Sequence, residues 1–309
     1  MLNKIKSPYI LGIILKQNLG VKACMEIIKY NKKLQKKLNI SLNDYKNYKK
    51  IELELIPLAD FDDIDEEYYF ININKSDKSY YHIYFDNKKE ETNQNFVKQG
   101  HTVKTIKIII DEKIKSFKDL FSFCNGLKEI SITKCNRNDI TPMNMLFYEW
   151  EELIKVDLSK LKTDNVENMS YMFKGCSKLN YINISNFNTS KVTNMKLMFS
   201  ECIALRNLIM TNFNTKNVTD MSEMFYNCKK LIDFDVTCLN IPTKSRIDRM
   251  FYYCDDELKY KIKKNYKKIS IDAFDISFSP TYDFNEIMKK MKSYKYIFKD
   301  KKYYYKLNK

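Results

Sequence analysis

Cysteine is the residue whose spacing in this chain most invites a chemical reading. Cys124, Cys176, Cys202, Cys228 and Cys254 share one 26-residue interval, with Trp150 in the register between the first two. A thiolate metal centre needs sulfurs converging at about 2.3 Å from one ion. A disulfide needs Cα atoms about 4.4–6.8 Å apart. This column supplies one thiol per repeat, on elements expected to pack about 8–10 Å apart. Neither chemistry fits that spacing, so the expectation is a small buried thiol filling a fixed gap. Cys24, Cys135 and Cys238 lie outside the column. Met169, Met195 and Met221 keep the same period and read as core filling, not as a copper site.

Other chemistry has less to stand on. His82 and His101 are the two histidines, one in a predicted strand and one in a predicted linker. A phosphate-cradling loop, a nucleophile elbow and a metalloprotease helix have no counterpart in the sequence, and there are five glycines in all. The acidic run Asp60, Asp62, Asp63, Asp65, Glu66 and Glu67 lacks the turn glycine of an EF-hand and reads as a solvated loop. The chain is expected not to be an enzyme and to need no cofactor and no metal.

The elements that carry these residues follow from the repeat. Phe121, Phe147, Phe173, Phe199, Phe225 and Phe251 are evenly spaced, each three residues before a column position. Apolar residues stand seven, four and one before the phenylalanines, as Val166, Met169 and Met172 do before Phe173, with Lys244 seven before Phe251 as the exception. That spacing predicts one buried face of a short helix. After the cysteine the period drops to two, as in Leu179, Ile182 and Ile184. This is a leucine-rich-repeat strand pattern, and stacked units would form a parallel sheet. The predicted fold class is therefore α/β, a leucine-rich-repeat solenoid with a short helix and a parallel strand per 26-residue coil.

Polar positions between the buried strand residues are the candidate contacts of such an array. They are Lys155, Asp157, Tyr181, Asn183, Asn207, Asp233 and Asp235, expected on the open strand face. Ile209 stands in the same row as Asp157, Asn183 and Asp235, and a Ser/Thr row follows with Thr133, Ser159, Ser185 and Thr211.

The flanks divide the chain further. Residues 1–48 read as a helical segment, with Ser7-Pro8 as a start and Gly20 as a break. Residues 49–100 read as a β-rich segment with strands near 51–55, 68–73 and 80–85, closed by a polar linker over 87–100. Residues 101–262 form the array of about six coils, with 103–110 as its first strand. Residues 263–309 are a Lys/Tyr-rich C-terminal segment. The formal charge of +15 belongs to the ends: twelve lysines face Glu26 and Asp44 in residues 1–50, and fifteen face five acids in residues 259–309. Such flanks usually form a solvated surface. Tyr294, Tyr296, Tyr303, Tyr304 and Tyr305 could stack on single-stranded nucleic acid, but a nucleic-acid partner is not expected.

Phe187-Asn188-Thr189-Ser190-Lys191-Val192-Thr193-Asn194-Met195 leading to Met198-Phe199 and Cys202, with its counterpart from Phe213 to Cys228, resembles the BspA-type leucine-rich repeat of bacterial and protist surface proteins. The resemblance covers about half the chain, tightest over residues 161–254. It implies a binding solenoid, often an adhesin, and brings no catalytic residue. More faintly, Ser7-Pro8-Tyr9-Ile10-Leu11 together with Ile28 to Gln35 resembles an F-box helical motif ahead of repeats. The resulting expectation is a non-enzymatic protein-interaction scaffold, monomeric and cytoplasmic, with a protein partner. The alternatives are an F-box-like substrate adaptor of a ubiquitin ligase and a secreted or cell-surface adhesin. No apolar run reaches the roughly 18 residues of a membrane span.

Overall fold

A computed structural model describes residues 23–58, 67–98, 103–235, 239–266 and 269–274, and the backbone of 297–299 and 302–304. Outside these lie the expected helix start at Ser7-Pro8, the break at Gly20, most of the acidic run, His101, Cys238, and Tyr294, Tyr296 and Tyr305 of the C-terminal segment.

Three helices open the described chain: α1 (residues 23–30), α2 (Lys32–Leu38) and α3 (Leu42–Lys49). Local capping sets their ends. Asn31 Oδ1 accepts from Leu34 N–H at 3.0 Å, and Asn39 leaves α2 in the left-handed region at φ 51°. Ser41 and Asp44 form a reciprocal capping box that starts α3. Cys24, Ile28 and Leu34 pack into a small apolar cluster of their own.

Strand β1 (Ile51–Pro57) follows, with Ile51, Leu53 and Leu55 at most 1% exposed. Then come β2 (Glu67–Tyr69), β3 (Tyr81–Phe85), β4 (Phe96–Lys98) and β5 (Ile106–Ile110). The repeats carry β6 (Leu127–Lys134), β7 (Lys155–Asp157), β8 (Tyr181–Asn183), β9 (Asn207–Leu208) and β10 (Asp233–Phe234). Helix α4 (Asp256–Asn265) and a 3-10 turn at Ile271–Ala273 come next, and β11 (Ile297–Lys299) and β12 (Lys302–Tyr304) form a separate antiparallel pair. One six-stranded sheet runs β3-β5-β1-β6-β7-β8. Its first half is antiparallel, and β1 joins it to the parallel half by pairing antiparallel to both β5 and β6. From there the register advances one repeat per strand, Ile130 beside Val156 beside Ile182. A second small parallel pair sets Leu208 beside Phe234.

This overturns the expected α/β leucine-rich-repeat solenoid. The fold is a mixed sheet with little helix, and none of the described repeat residues 103–235 is helical. The apolar spacing that predicted a helix belongs instead to consecutive turns. A residue in the left-handed region stands two before and two after each phenylalanine: Met145 and Glu149, Tyr171 and Gly175, Leu197 and Glu201, Glu223 and Asn227. L-residues do not continue a right-handed helix through that region. Alternate amides leave the turns altogether. Phe147 N–H donates to Met172 O at 2.9 Å and Phe173 N–H to Met198 O at 2.9 Å. Hydrogen bonds that would run along a helix therefore run between repeats.

Two other expectations change for the same kind of reason. Residues 106–110 are not the first strand of the repeats, because β5 pairs antiparallel with β1 and β3. The second predicted strand shortens to β2, which finds its partner in β4, inside the stretch read as a polar linker.

Phenylalanine forms the axis of the core. The rings of Phe121, Phe147, Phe173, Phe199, Phe225 and Phe251 stack with centroids 5.3 to 5.8 Å apart, and Phe274 closes the column 5.8 Å beyond Phe251. Offset stacking of this kind adds to the energy of area burial alone. Asn72 covers the opposite end, where its side-chain amide donates to Asp119 O at 3.1 Å and Ser122 O at 2.7 Å.

Candidate interaction face

The parallel strands put the candidate contacts in rows. Glu129, Lys155 and Tyr181 are backbone partners across β6, β7 and β8, and Ser131, Asp157 and Asn183 form the adjacent row. Asn207 and Asp233 pair across β9 and β10, in the other sheet. The structure thus brings Lys155, Asp157, Tyr181 and Asn183 together as one group, and Asn207 and Asp233 as another, with Asp235 following β10.

Within the first group the side chains divide by role. Tyr181 is 47% exposed, and the Lys155 ammonium lies 5.9 Å from its ring centroid, within reach of a cation–π contact. Lys155 also pairs with Glu129 at 3.4 Å. Asp157 and Asn183 are half-buried and shape the backbone. Asp157 Oδ1 accepts from Ser159 N–H at 2.9 Å and Asn183 Oδ1 from Ser185 N–H at 3.2 Å. Asn and Asp take such roles in turns because the short side chain reaches the amide two residues on. Asn207 and Asp235 are exposed. Ile209, left out of the candidate contacts because it is apolar, is the most exposed large hydrophobic residue described on this face, at 69%. An exposed isoleucine in a polar row was itself the signal.

The cysteine column is structural. Cys176 Sγ donates to Phe147 O at 3.1 Å, Cys202 to Phe173 O at 3.2 Å, Cys228 to Phe199 O at 3.0 Å and Cys254 to Phe225 O at 2.9 Å. Burial pushes the thiols of Cys176, Cys202 and Cys228 well above their usual range, so they stay protonated and unreactive. Trp150 takes the same position and donates to Leu127 O at 3.1 Å while stacking beside Phe121 and Phe147. The helix-packing distance used to interpret this column does not apply, since the repeats hold turns. Among the described residues no cluster of metal-ligating side chains occurs.

A second ladder escaped notice in the sequence. Thr163, Thr189 and Thr215 are at most 1% exposed, and each hydroxyl bonds to the next repeat. Thr189 Oγ1 donates to Asn214 O at 3.1 Å and accepts from Asn214 N–H at 2.7 Å. The recurring Phe-Asn-Thr triplets at 187–189 and 213–215 carried the signal.

His82 belongs to the antiparallel half of the sheet. Its Nδ1 sits 3.1 Å from Glu91 and its Nε2 3.4 Å from Asp111, which also faces Lys50. It ties the β-rich segment together, away from the repeat strands.

The repeat region matches the family described as "Mycoplasma protein of unknown function, DUF285" over residues 115–233 and again over 183–291. Together the matches span more than half of the 309 residues. The chain belongs to this family. No curated protein and no solved structure matches it. In this DUF285 chain the matched stretch coincides with the stacked phenylalanines and the parallel strands, while the antiparallel strands β1 to β5 and the helices α1 to α3 precede it. Among the described residues no helix is long and apolar enough to cross a membrane.

Proposed function

We propose that this DUF285 protein is a non-enzymatic protein-interaction scaffold that presents its contacts on the strand face. The observation that carries the reading is the pair Tyr181 and Ile209, exposed on neighbouring rows with Lys155 on one side and Asp235 on the other. Interfaces concentrate their energy in a few aromatic and apolar anchors with a polar surround. The resemblance to BspA-type repeats supports a binding role, and kinship with those proteins is part of the proposal. The cytoplasm is the proposed compartment, with the cell surface as the alternative.

The test is affinity capture by the full chain, set beside a variant with Tyr181, Asn183, Asn207, Ile209, Asp233 and Asp235 all changed to alanine. Wild type should retain a partner that the variant loses at equal folded content. An unchanged set of captured proteins would remove the strand-face reading.

A second reading, a substrate adaptor of a ubiquitin ligase, draws on the N-terminal helices. They pack around their own small cluster and leave Ile27, Tyr30 and Leu42 exposed at 39%, 78% and 47%. Its test is binding of the ligase's linker subunit by the full chain and by an Ile27→Asp, Leu42→Asp variant. Failure of the wild-type chain to bind would end this reading.

A further inference from the structure

The repeats end in an open rung. Pro142, Asn168, Asn194, Asp220 and Arg246 form a ladder of parallel bridges along one edge. Each repeat completes the one before it. Met169 N–H donates to Asn194 O at 2.9 Å, Met195 N–H to Asp220 O at 2.8 Å and Met221 N–H to Arg246 O at 2.8 Å. In the reverse sense, Thr219 N–H reaches Thr193 O at 2.8 Å and Arg246 N–H reaches Thr219 O at 2.9 Å. The next members of these two series are the Ile247 N–H and the Ser245 carbonyl. Neither has a partner among the described residues.

The turn edge of the same repeat is closed, because Arg249 N–H and Phe251 N–H donate to Asp272 O and Ala273 O at 2.7 and 2.8 Å. Among the described residues, the chain that covers the turns does not reach the rung, and a cleft of about 510 Å³ lies there. Half-buried Ile241 and Ile247 line it, with Tyr266 and Ile269 and the hydroxyls of Thr243 and Ser270. A donor and an acceptor two residues apart beside apolar side chains form the pattern that an extended backbone recognises. In every preceding repeat the occupant of that pattern is polypeptide.

We propose that this cleft binds an extended segment of another polypeptide, which adds one parallel rung. One residue of that segment uses both its backbone groups, accepting from Ile247 N–H and donating to Ser245 C=O. The side chain after it, apolar and of methionine or isoleucine size, covers Ile247. In the chain's own preceding repeat these two roles belong to Asp220 and Met221 relative to the repeat before.

The probe is therefore a fluorescein-labelled peptide with the sequence of residues 215–224, titrated with the full chain and read by anisotropy. Saturable binding is expected. The same peptide N-methylated at the Asp220 nitrogen should bind about tenfold more weakly, the effect of one lost hydrogen bond. Ile241→Asp and Ile247→Pro should abolish binding, and Tyr181→Ala should leave it unchanged. Peptide should also slow hydrogen exchange at the Ile247 amide. No binding, equal binding of the N-methylated peptide, or loss of binding in Tyr181→Ala would overturn the proposal. So would an Ile247 amide already protected before peptide is added, since that would put the chain's own C-terminal residues in the cleft.

Discussion

The Cys202 thiol donates to the backbone carbonyl of Phe173 across 3.2 Å, from one repeat back to the previous one. Three other thiols repeat the contact, so the column fastens each repeat to its predecessor next to the phenylalanine stack. A buried S–H that fills a gap and satisfies a carbonyl explains cysteine at this position better than any reaction does.

The pH dependence of stability follows. Burial raises Cys124, Cys176, Cys202 and Cys228 above the ordinary thiol range in the folded state. Above a pH of about 8.5 the unfolded chain loses these protons while the folded chain keeps them. The unfolded state then binds fewer protons, so stability falls as pH rises, by up to about 1.4 kcal/mol per pH unit for each thiol. Urea midpoints should drop steeply between about pH 8.5 and 10. Iodoacetamide should modify Cys176, Cys202 and Cys228 only in denaturant, as read by mass spectrometry of the digested protein.

The threonine ladder makes a second prediction. Thr189 holds both the N–H and the carbonyl of Asn214 through one buried oxygen. Thr189→Val keeps the shape and removes both bonds, leaving two backbone groups without a partner. The expected loss is about 2 kcal/mol in urea unfolding. Thr189→Ser should cost less, because it keeps the hydroxyl.

Much of this architecture was legible in particular residues. The 26-residue period was visible in Phe121 to Phe251, as was the inward row Ile130, Val156 and Ile182. The helix was misread because Met169, Met172, Phe173 and Cys176 have the same three-and-four spacing in consecutive turns as in a helix. What distinguishes the two is backbone sign, and residues such as Tyr171 and Leu197 do not advertise φ values of 60° and 54°. At Gly175 the glycine was a visible hint. Strand β5 was misplaced because alternation in Ile106, Ile108 and Ile110 gives a strand but not its neighbours. Of the proposed contacts, Tyr181 is exposed and Lys155 pairs with Glu129 beside it, while Asp157 and Asn183 hold turns, a use that polarity alone cannot separate from binding.

A third prediction concerns the one arginine sealed in the core. Arg137 has no exposed side-chain surface, and its guanidinium donates to Asp111 O at 3.0 Å, Ile114 O at 2.5 Å and Asp139 Oδ1 at 2.8 Å. Burial would raise the Asp139 carboxyl, but hydrogen bonds from Arg137 and Lys115 outweigh it and hold it at about 2. Its folded pKa is thus below the unfolded value, so its stabilisation is complete above about pH 4. That contribution fades as pH falls toward 2. Asp139→Asn should cost about 2 kcal/mol at pH 7, less than uncovering a fully buried charge, because water reaches Asp139. The variant should also flatten the acid limb of the stability profile between about pH 4 and 2.

The last prediction tests how the repeats are closed at their start. Asn72 offers its backbone N–H to Leu120 O at 2.8 Å and its side-chain amide to Asp119 O and Ser122 O. The Leu120 and Ser122 carbonyls occupy the place where, in later repeats, amides of the preceding repeat donate, as Phe147 N–H does to Met172 O and Glu149 N–H to Lys174 O. Asn72→Ala removes two donors from a partly buried edge, and about 1–2 kcal/mol of stability should go with them. Asn72→Asp is the sharper change, since a carboxylate would face the carbonyls it replaced a donor for. It should destabilise more than alanine at pH 7 and recover toward alanine as pH falls below about 4, when the acid regains a donor proton. Equal effects of the two variants across that range would show that Asn72 closes the edge by its backbone alone.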